Sequence, residues 1–287
     1  IQDALSMLEN MEHRGGTGSD PDSGDGAGIL LQNPHSFFKN IEPELAFDLP
    51  EFGHYGVGMV FFSRIESVRN ACKQEMQLIA SEMGFQILGF RKVPVDHTIP
   101  GSESRRVEPI IEQVFFKHSD AVEDELERKL FLLRNYATHK INNEVIGSNG
   151  EFYFTSLSFK VIIYKGQLRT DQLRSYYLDL QNPDLESALA VVHSRFSTNT
   201  FPNWKLAQPF RYLAHNGEIN TINGNVTKMK SKEAIMKSAY FANDELQKIL
   251  PVTNPANSDS ANLDALVEML TINGRSLPHV MMMLVPE

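Results

Sequence analysis

An ordered alternation of apolar patterns between Tyr55 and Leu157 constrains the fold of this 287-residue chain most strongly. Apolar runs of strand length, such as "YGVGMVFF" and "IIEQVFF", are separated by two segments whose apolar residues recur at helical spacing. The predicted order is strand, helix, strand, strand, helix, strand. This βαββαβ order is typical of a ferredoxin-like unit. We therefore predict such a unit at about residues 55–157, with its four strands in one sheet.

Further elements are predicted on both sides of that unit. The runs "SFKVIIYKG", "SALAVVHSRF", "FRYLAH" and "PHVMMMLV" predict strands. The segment "DSANLDALVEML" predicts a helix, because its apolar residues follow helical spacing and Ser and Asp stand at its start. Residues 1–14 predict another helix. The stretch "GGTGSDPDSGDGAG" that follows holds six glycines, and we expect a loop there, since glycine costs about 1 kcal/mol in a helix interior.

Composition and charge exclude several classes of function. The net charge is −9 and the chain has no basic tract, so it is a poor candidate for binding nucleic acid or an anionic membrane. Its apolar runs are far shorter than the roughly 20 residues of a membrane-spanning helix. The single cysteine, Cys72, excludes an internal disulfide framework and fits a reducing compartment. We expect a cytoplasmic protein without a nucleic-acid or membrane partner.

The glycine-rich loop does not match either of two known ion-binding loops. A phosphate-binding P-loop ends in Gly-Lys-Ser/Thr, and this loop has no lysine. A calcium loop would need a glycine where Asp25 stands and a closing glutamate where Leu31 stands. Two interpretations remain open, a plain surface loop and a role in a site that holds no metal.

Cys72 is the obvious nucleophile to consider, because it is the only thiol. It lies within the apolar face of a predicted helix, where desolvation raises the pKa of a thiol and leaves it unreactive. We interpret Cys72 as a structural core residue.

The tripeptide "HNG" at residues 215–217 follows a short apolar run. Asn-Gly is a strong hairpin signature, so a plain turn is one interpretation. The other is an oxyanion hole, in which the Asn216 side-chain amide and the Gly217 backbone N–H donate to one point.

Two charged residues could bind the ends of an α-amino acid. Arg195 directly follows a predicted strand, and a guanidinium there either pairs with a structural acid or binds a ligand carboxylate in bidentate fashion. Asp259 lies at the start of a predicted helix, where an acid is commonly a cap. It could equally receive a ligand ammonium group.

Three strings together are too specific for composition to explain them: "HRGGTGSDPDSGDGAGILL", "HSRFSTNTFPNWKLAQPFRYLAHNGEINTINGN" and "NSDSANLDALVEML". In this order they resemble the N-terminal glutaminase domain of the glutamate synthase family, over essentially the whole chain. The resemblance implies a class II glutamine amidotransferase of the N-terminal-nucleophile (Ntn) hydrolase fold. That fold is α+β, a four-layer αββα sandwich of two mostly antiparallel sheets.

In that family, a cysteine at position one attacks the side-chain amide of glutamine, and its own α-amino group acts as the base. Matched residue by residue, Asn216 and Gly217 would form the oxyanion hole. Arg195 would bind the α-carboxylate of glutamine and Asp259 its α-ammonium group. Other residues implied in the same site are Arg14, which would support the nucleophile's surroundings, and His193, Ser197 and Thr198, which would line the pocket.

The resemblance also implies a larger parent enzyme. Ammonia would pass through a tunnel to a synthase domain that carries FMN and a [3Fe-4S] cluster and aminates 2-oxoglutarate to glutamate. Electrons would come from NAD(P)H, through a small electron-transfer subunit, or from ferredoxin. None of the residues for those steps belongs to this chain, and we expect no cofactor or metal in this domain. A plastid location would follow if the source were a plant or alga.

This sequence departs from the family pattern at its start, where family members have Cys-Gly and a strand before the first helix. We therefore expect residues 1–287 to be a single glutamine amidotransferase domain that is incomplete at both ends. The leading hypothesis is the glutaminase domain of glutamate synthase without its nucleophile. The alternative is a catalytically inactive module that binds or senses glutamine. A stand-alone hydrolase that uses Cys72 is disfavoured by the apolar position of that residue.

Overall fold

The computed structural model describes residues 1–16, 20–147, 152–195, 201–215 and 218–285. Within these ranges seven strands form two sheets, and every strand pair is antiparallel. The strands are β1 (Ala27–Gln32), β2 (Gly56–Phe62), β3 (Phe85–Lys92), β4 (Ile110–His118), β5 (Tyr153–Ser158), β6 (Val161–Gly166) and β7 (Ala190–His193).

The helices surround and connect these sheets. They are α1 (Gln2–Asn10), α2 (His35–Asn40), α3 (Glu42–Leu45), α4 (Glu66–Glu82), α5 (Ser102–Arg106), α6 (Glu123–Lys140), α7 (Gln172–Tyr176), α8 (Ile222–Glu233), α9 (Asn243–Lys248), α10 (Asp259–Ile272) and α11 (Leu277–Leu284). Short 3-10 turns lie at Glu12–Arg14 and Leu178–Gln181, and a π-helical turn continues α6 at Ile141–Ile146. None of these helices, over the ranges described, is long and apolar enough to cross a membrane.

The four-stranded sheet is the unit predicted from the alternation of apolar patterns. Its strand order is β3-β4-β2-β5, so the four predicted strands share one sheet and the prediction is confirmed. Alternation along β2 separates its two faces, as the period of two in a strand requires. Val60 and Phe62 pack against α4 and α6 in one core cluster, whereas Met59 and Phe61 face the opposite way.

The three-stranded sheet has the order β6-β1-β7, with the almost completely buried β1 at its centre. Ile29 of β1 and Tyr164 of β6 share a core cluster with Met59 and Phe61 of the other sheet. The two sheets therefore meet through one apolar core, and α4 and α6 cover the far face of the larger sheet. The predicted α+β class with two antiparallel sheets, consistent with an Ntn-hydrolase sandwich, is confirmed.

The predicted strand "FRYLAH" is wrong, because residues 210–215 contain no strand. The backbone N–H groups of Tyr212 and Leu213 donate to the carboxylate of Asp264 on α10, at 2.7 and 3.1 Å. These two N–H groups therefore donate to a side chain of α10, and not to the carbonyl groups of a neighbouring strand.

The predicted strand "PHVMMMLV" is also wrong, because these residues lie largely in α11. Pro278 stands in the first turn of that helix, where a missing N–H costs nothing. Val280 and Leu284 are buried at helical spacing, while Met282 is 75% exposed. Two smaller corrections concern the N-terminal region: α1 ends at Asn10, and β1 begins inside the predicted glycine loop.

Candidate active site

The carboxyl end of β7 brings His193 and Arg195 together. Strand β7 runs antiparallel to β1, with His193 opposite Gly28. The backbone N–H of Arg195 donates to Nδ1 of His193 at 3.1 Å. Burial lowers the pKa of His193, and the nearby charges of His215 and Arg195 act in the same direction. Burial therefore favours the neutral imidazole, whose Nδ1 also lies 3.0 Å from the Arg195 carbonyl oxygen.

The glycine-rich loop lies against this strand end. A β-carbon on Gly15 would lie 4.0 Å from the carbonyl oxygen of Ser194, and one on Gly16 would overlap the carboxylate of Asp25. The backbone N–H of Asp25 donates to the Gly16 carbonyl at 3.1 Å. Burial raises the pKa of Asp25, and the positive charge of Arg195 opposes that rise. The loop thus places a half-buried carboxyl group within the electrostatic reach of Arg195.

The outer part of the glycine loop is anchored to the body of the protein. The Asp20 carboxylate accepts hydrogen bonds from the hydroxyls of Ser23 at 2.8 Å and Ser102 at 2.9 Å. These hydrogen bonds, that from Ser23 foremost, hold the pKa of Asp20 well below its ordinary value. The side-chain amide of Gln172 donates to the carbonyl of Asp22 at 2.8 Å. The loop around Asp20 and Asp22 is therefore hydrogen-bonded to the first residues of α5 and α7.

The peptide of His215, directly before Asn216, is held by side chains from two other segments. Oε1 of Gln208 accepts from the His215 N–H at 2.7 Å, and Nε2 of Gln208 donates to the His215 carbonyl at 2.6 Å. The hydroxyl of Ser260 donates to the same carbonyl at 3.1 Å. This last contact connects the segment that leads to the Asn-Gly dipeptide with the first turn of α10.

Helix α10 begins at Asp259, as the sequence predicts. The hydroxyl of Ser258 accepts from the backbone N–H of Ala261 at 3.2 Å, so Ser258 and not Asp259 makes the side-chain N-cap hydrogen bond. Asp259 is half-buried in the first turn, next to Ser260.

The end of β7, the His215 peptide and the start of α10 are called the site corner below. A buried network of charges connects this corner to α6. Glu268 of α10 accepts from Arg134 of α6 at 2.5 Å and from Arg211 at 2.9 Å. Arg211 also lies 3.3 Å from Asp264, which accepts from the backbone of Tyr212. Opposite charges pair throughout the network, which compensates in part for taking them out of water. The segment before His215 is consequently tied to α10 at two places.

The chain is related to known proteins over its whole length. The family described as "Glutamine amidotransferases class-II" matches residues 1–287. The chain belongs to the class-II glutamine amidotransferases. It is 44% identical to the large chain of the NADPH glutamate synthase of Bacillus subtilis, over 100% of this chain and 19% of that protein.

Two eukaryotic relatives are similarly identical over the whole of this chain. Identity is 44% to ferredoxin-dependent glutamate synthase 1 of Arabidopsis thaliana, over 100% of this chain and 18% of the relative. It is 46% to the NADH glutamate synthase of Saccharomyces cerevisiae, over 100% of this chain and 14% of the relative. The chain therefore spans less than a fifth of the length of each of these three relatives.

Three of the predicted site residues of this amidotransferase domain lie at the corner just described. His193 and Arg195 adjoin each other at the end of β7, and Asp259 is connected to the same region through Ser260 and His215. Their individual roles stay predictions. The remaining predicted residues, Asn216, Gly217, Ser197 and Thr198, lie outside the described residues, and Arg14 ends a 3-10 turn of which only the backbone is described.

Cys72 is the structural residue that the sequence predicts. It is fully buried on α4, in the core cluster between that helix and the four-stranded sheet. Burial raises the pKa of its thiol to about 11, so almost no thiolate forms at neutral pH. Among the described residues, no group of three or more His, Cys, Asp or Glu side chains could hold a metal ion.

No sequence pattern predicts three residues that lie at or near this corner: Asp25, Gln208 and Ser260. In the sequence, Asp25 is notable only because it stands where a calcium loop requires a glycine. Gln208 lies within the most characteristic string, but no spacing rule points to a buried glutamine that binds a peptide seven residues away. Only the tertiary contacts reveal these roles.

Proposed function

We propose that this domain hydrolyses L-glutamine to glutamate and ammonia, as the glutaminase half of a glutamate synthase. The observation that supports it most directly is the hydrogen bond from Ser260 to the His215 carbonyl, which connects the neighbours of Asp259 and Asn216. In this proposal Asp259 binds the α-ammonium group of glutamine and Arg195 its α-carboxylate. Such a clamp leaves the side-chain amide directed toward Asn216 and Gly217.

The reaction requires a nucleophile other than Cys72, whose burial leaves it unreactive. We place that role on a cysteine ahead of Ile1, at the mature N-terminus of the natural protein. Its α-amino group, with a pKa of about 7.7–8.0, accepts the thiol proton near neutrality. The thiolate attacks the amide carbon, and Asn216 and Gly217 donate to the oxyanion. Ammonia leaves with the proton, and water then hydrolyses the thioester to glutamate.

The fate of the ammonia belongs to the larger protein. The relatives are named NADPH-, NADH- or ferredoxin-dependent glutamate synthases. By analogy, ammonia passes to a synthase domain of the same polypeptide, which carries FMN and a [3Fe-4S] cluster and aminates 2-oxoglutarate. The electron donor is NAD(P)H, with a small electron-transfer subunit, or ferredoxin. The proposed location is the cytoplasm, or a plastid in a plant or alga, with no nucleic-acid or membrane partner.

The test is covalent labelling of the natural full-length protein with a diazoketone analogue of glutamine. Intact mass and N-terminal sequencing should show one equivalent of label on a cysteine at the mature N-terminus, and excess glutamine should prevent it. Arg195→Lys keeps the charge but loses bidentate geometry, so it should slow labelling at low concentrations of the analogue. Glutamine binding without any label would instead support the inactive binding module.

A further inference from the structure

The side chain of Gln208 makes two hydrogen bonds with a single residue, His215. This side chain is completely buried, in the segment between β7 and α8. The carboxamide accepts from the His215 N–H at 2.7 Å and donates to the His215 carbonyl at 2.6 Å. Both backbone groups of His215 are thereby fixed by one planar group, in the way that a neighbouring strand would fix them.

Gln208 is itself held from behind by the three-stranded sheet. The backbone carbonyl oxygen of Gln208 lies 2.5 Å from the place that a β-carbon on Gly28 would occupy. Gly28 is the residue of β1 that pairs with His193 at the end of β7. The absence of a side chain at position 28 therefore lets Gln208 approach the sheet closely. A rigid path of contacts runs from β1 through Gln208 to His215.

We propose that Gln208 is a positioning residue for the oxyanion hole. It holds the His215 peptide, which directly precedes the two residues to which the proposed function assigns the oxyanion hole. This inference rests on the proposed glutaminase function. Donors stabilise an oxyanion strongly only when they are preorganised, and displacement by about 1 Å can cost about a hundredfold in rate.

The His215 carbonyl also receives the hydroxyl of Ser260, so its two lone pairs have separate donors. One donor belongs to the segment between β7 and α8 that approaches β1, and the other to the helix that begins at Asp259. Gln208 therefore sets the position of the His215 peptide, whereas Ser260 connects that peptide to the helix that carries the proposed ammonium site. Loss of Gln208 should impair the chemical step more than it impairs the binding of glutamine.

The chain offers a matched control for the purely structural effect of such a pair. Asn142, in the π-helical turn, binds both backbone groups of Phe152 in the same way. It accepts from the Phe152 N–H at 3.0 Å and donates to the Phe152 carbonyl at 2.9 Å. Gln208→Met and Asn142→Leu each replace the amide by an apolar side chain of similar shape.

The experiment measures steady-state glutaminase kinetics and thermal unfolding of the natural full-length protein and both variants. For Gln208→Met we expect kcat to fall roughly tenfold to a hundredfold, while KM for glutamine changes by less than about threefold. Asn142→Leu should lower the unfolding temperature to a similar extent and leave kcat within about twofold of the wild type. An unchanged kcat in Gln208→Met, or an equal loss of kcat in Asn142→Leu, overturns the proposal.

Gln208→Glu keeps the proposal testable if the apolar variant does not fold. A protonated carboxyl can both donate to the His215 carbonyl and accept from its N–H, whereas an ionised one can only accept. The kcat of this variant relative to wild type should therefore rise as the pH falls, and a ratio that does not change with pH contradicts the proposal. Absence of glutaminase activity in the wild-type protein would instead refute the proposed function itself.

Discussion

Asp25 is an acid near the candidate site whose ionisation lowers the stability of the fold. Its half-buried carboxyl group lies within the field of Arg195 and directly over Gly16. Because burial raises its pKa, the folded protein binds a proton at Asp25 more tightly than the unfolded chain does. The ionised carboxylate therefore lowers the free energy of unfolding at neutral pH. That penalty disappears well below the ordinary value of 3.8, where both states are protonated.

Asp25→Asn should consequently make the protein more stable at pH 7, by less than about 1 kcal/mol after solvent screening, and should have no effect in strong acid. The same change removes the anion near Arg195. We expect KM for glutamine to rise by up to about fivefold, as for the loss of a partly exposed charge interaction worth at most about 1 kcal/mol. Urea unfolding at several pH values and glutaminase kinetics provide the two measurements.

The control for this variant is Asp124→Asn, which removes an acid whose ion pair with Lys160 lies at the surface. It should leave KM unchanged and should not increase stability at pH 7. A lower stability of Asp25→Asn at neutral pH would contradict the assignment of Asp25 as a carboxylate that is costly to bury.

At the scale of elements, the length and regularity of each apolar pattern explain which helices and strands were predicted correctly. The helix α4 and the strands β2 and β4 have long, regular apolar patterns, and their pairing in one sheet was predicted from the order of the elements. The run "PHVMMMLV" is short and apolar throughout, so its periodicity cannot distinguish a strand from a helix. Only the burial of Val280 and Leu284 against the cluster of α8 and α10 decides the outcome.

The sequence likewise predicts some residues of the candidate site and not others. Arg195 and Asp259 were identified because their residue types and strings are characteristic of a family. Gln208 and Ser260 both donate to the His215 carbonyl, from 7 and 45 residues away along the chain. No local pattern encodes such contacts, since the partner is chosen by tertiary packing.

Substitution of two glycines tests the backbone conformation of the elements in which they lie. Gly224 lies inside α8, and Gly147 ends the π-helical turn; a β-carbon at either position would meet no atom within 4 Å. Gly224→Ala should raise the free energy of unfolding by about 0.5–1 kcal/mol, because alanine favours the helix. Gly147 has φ +54° and ψ −120°, so Gly147→Ala should lower it by about 1–3 kcal/mol. Denaturant unfolding measures the change in the free energy of unfolding for both variants. Changes of the same sign would contradict the helical conformation of Gly224 or the positive φ of Gly147.

At the scale of the whole molecule, the two sheets separate the candidate site from Cys72. The site is built on β1, β7 and the start of α10, whereas Cys72 lies on α4 behind the four-stranded sheet. The apolar core between the sheets lies between the two. A mechanism that uses Cys72 would have to cross both that core and a sheet.

Cys72→Ala should therefore leave kcat and KM for glutamine within about twofold, because it changes neither the site nor the elements that support it. It should lower the free energy of unfolding by about 1 kcal/mol, through the small cavity that it leaves. In the natural protein, a thiol reagent at pH 8 should modify Cys72 only after unfolding, because burial raises its pKa to about 11. Loss of glutaminase activity in a folded Cys72→Ala variant would revive the stand-alone hydrolase and contradict the proposed nucleophile. Retained activity, together with a label on another cysteine, would leave the corner of β7 and α10 as the place where glutamine is hydrolysed.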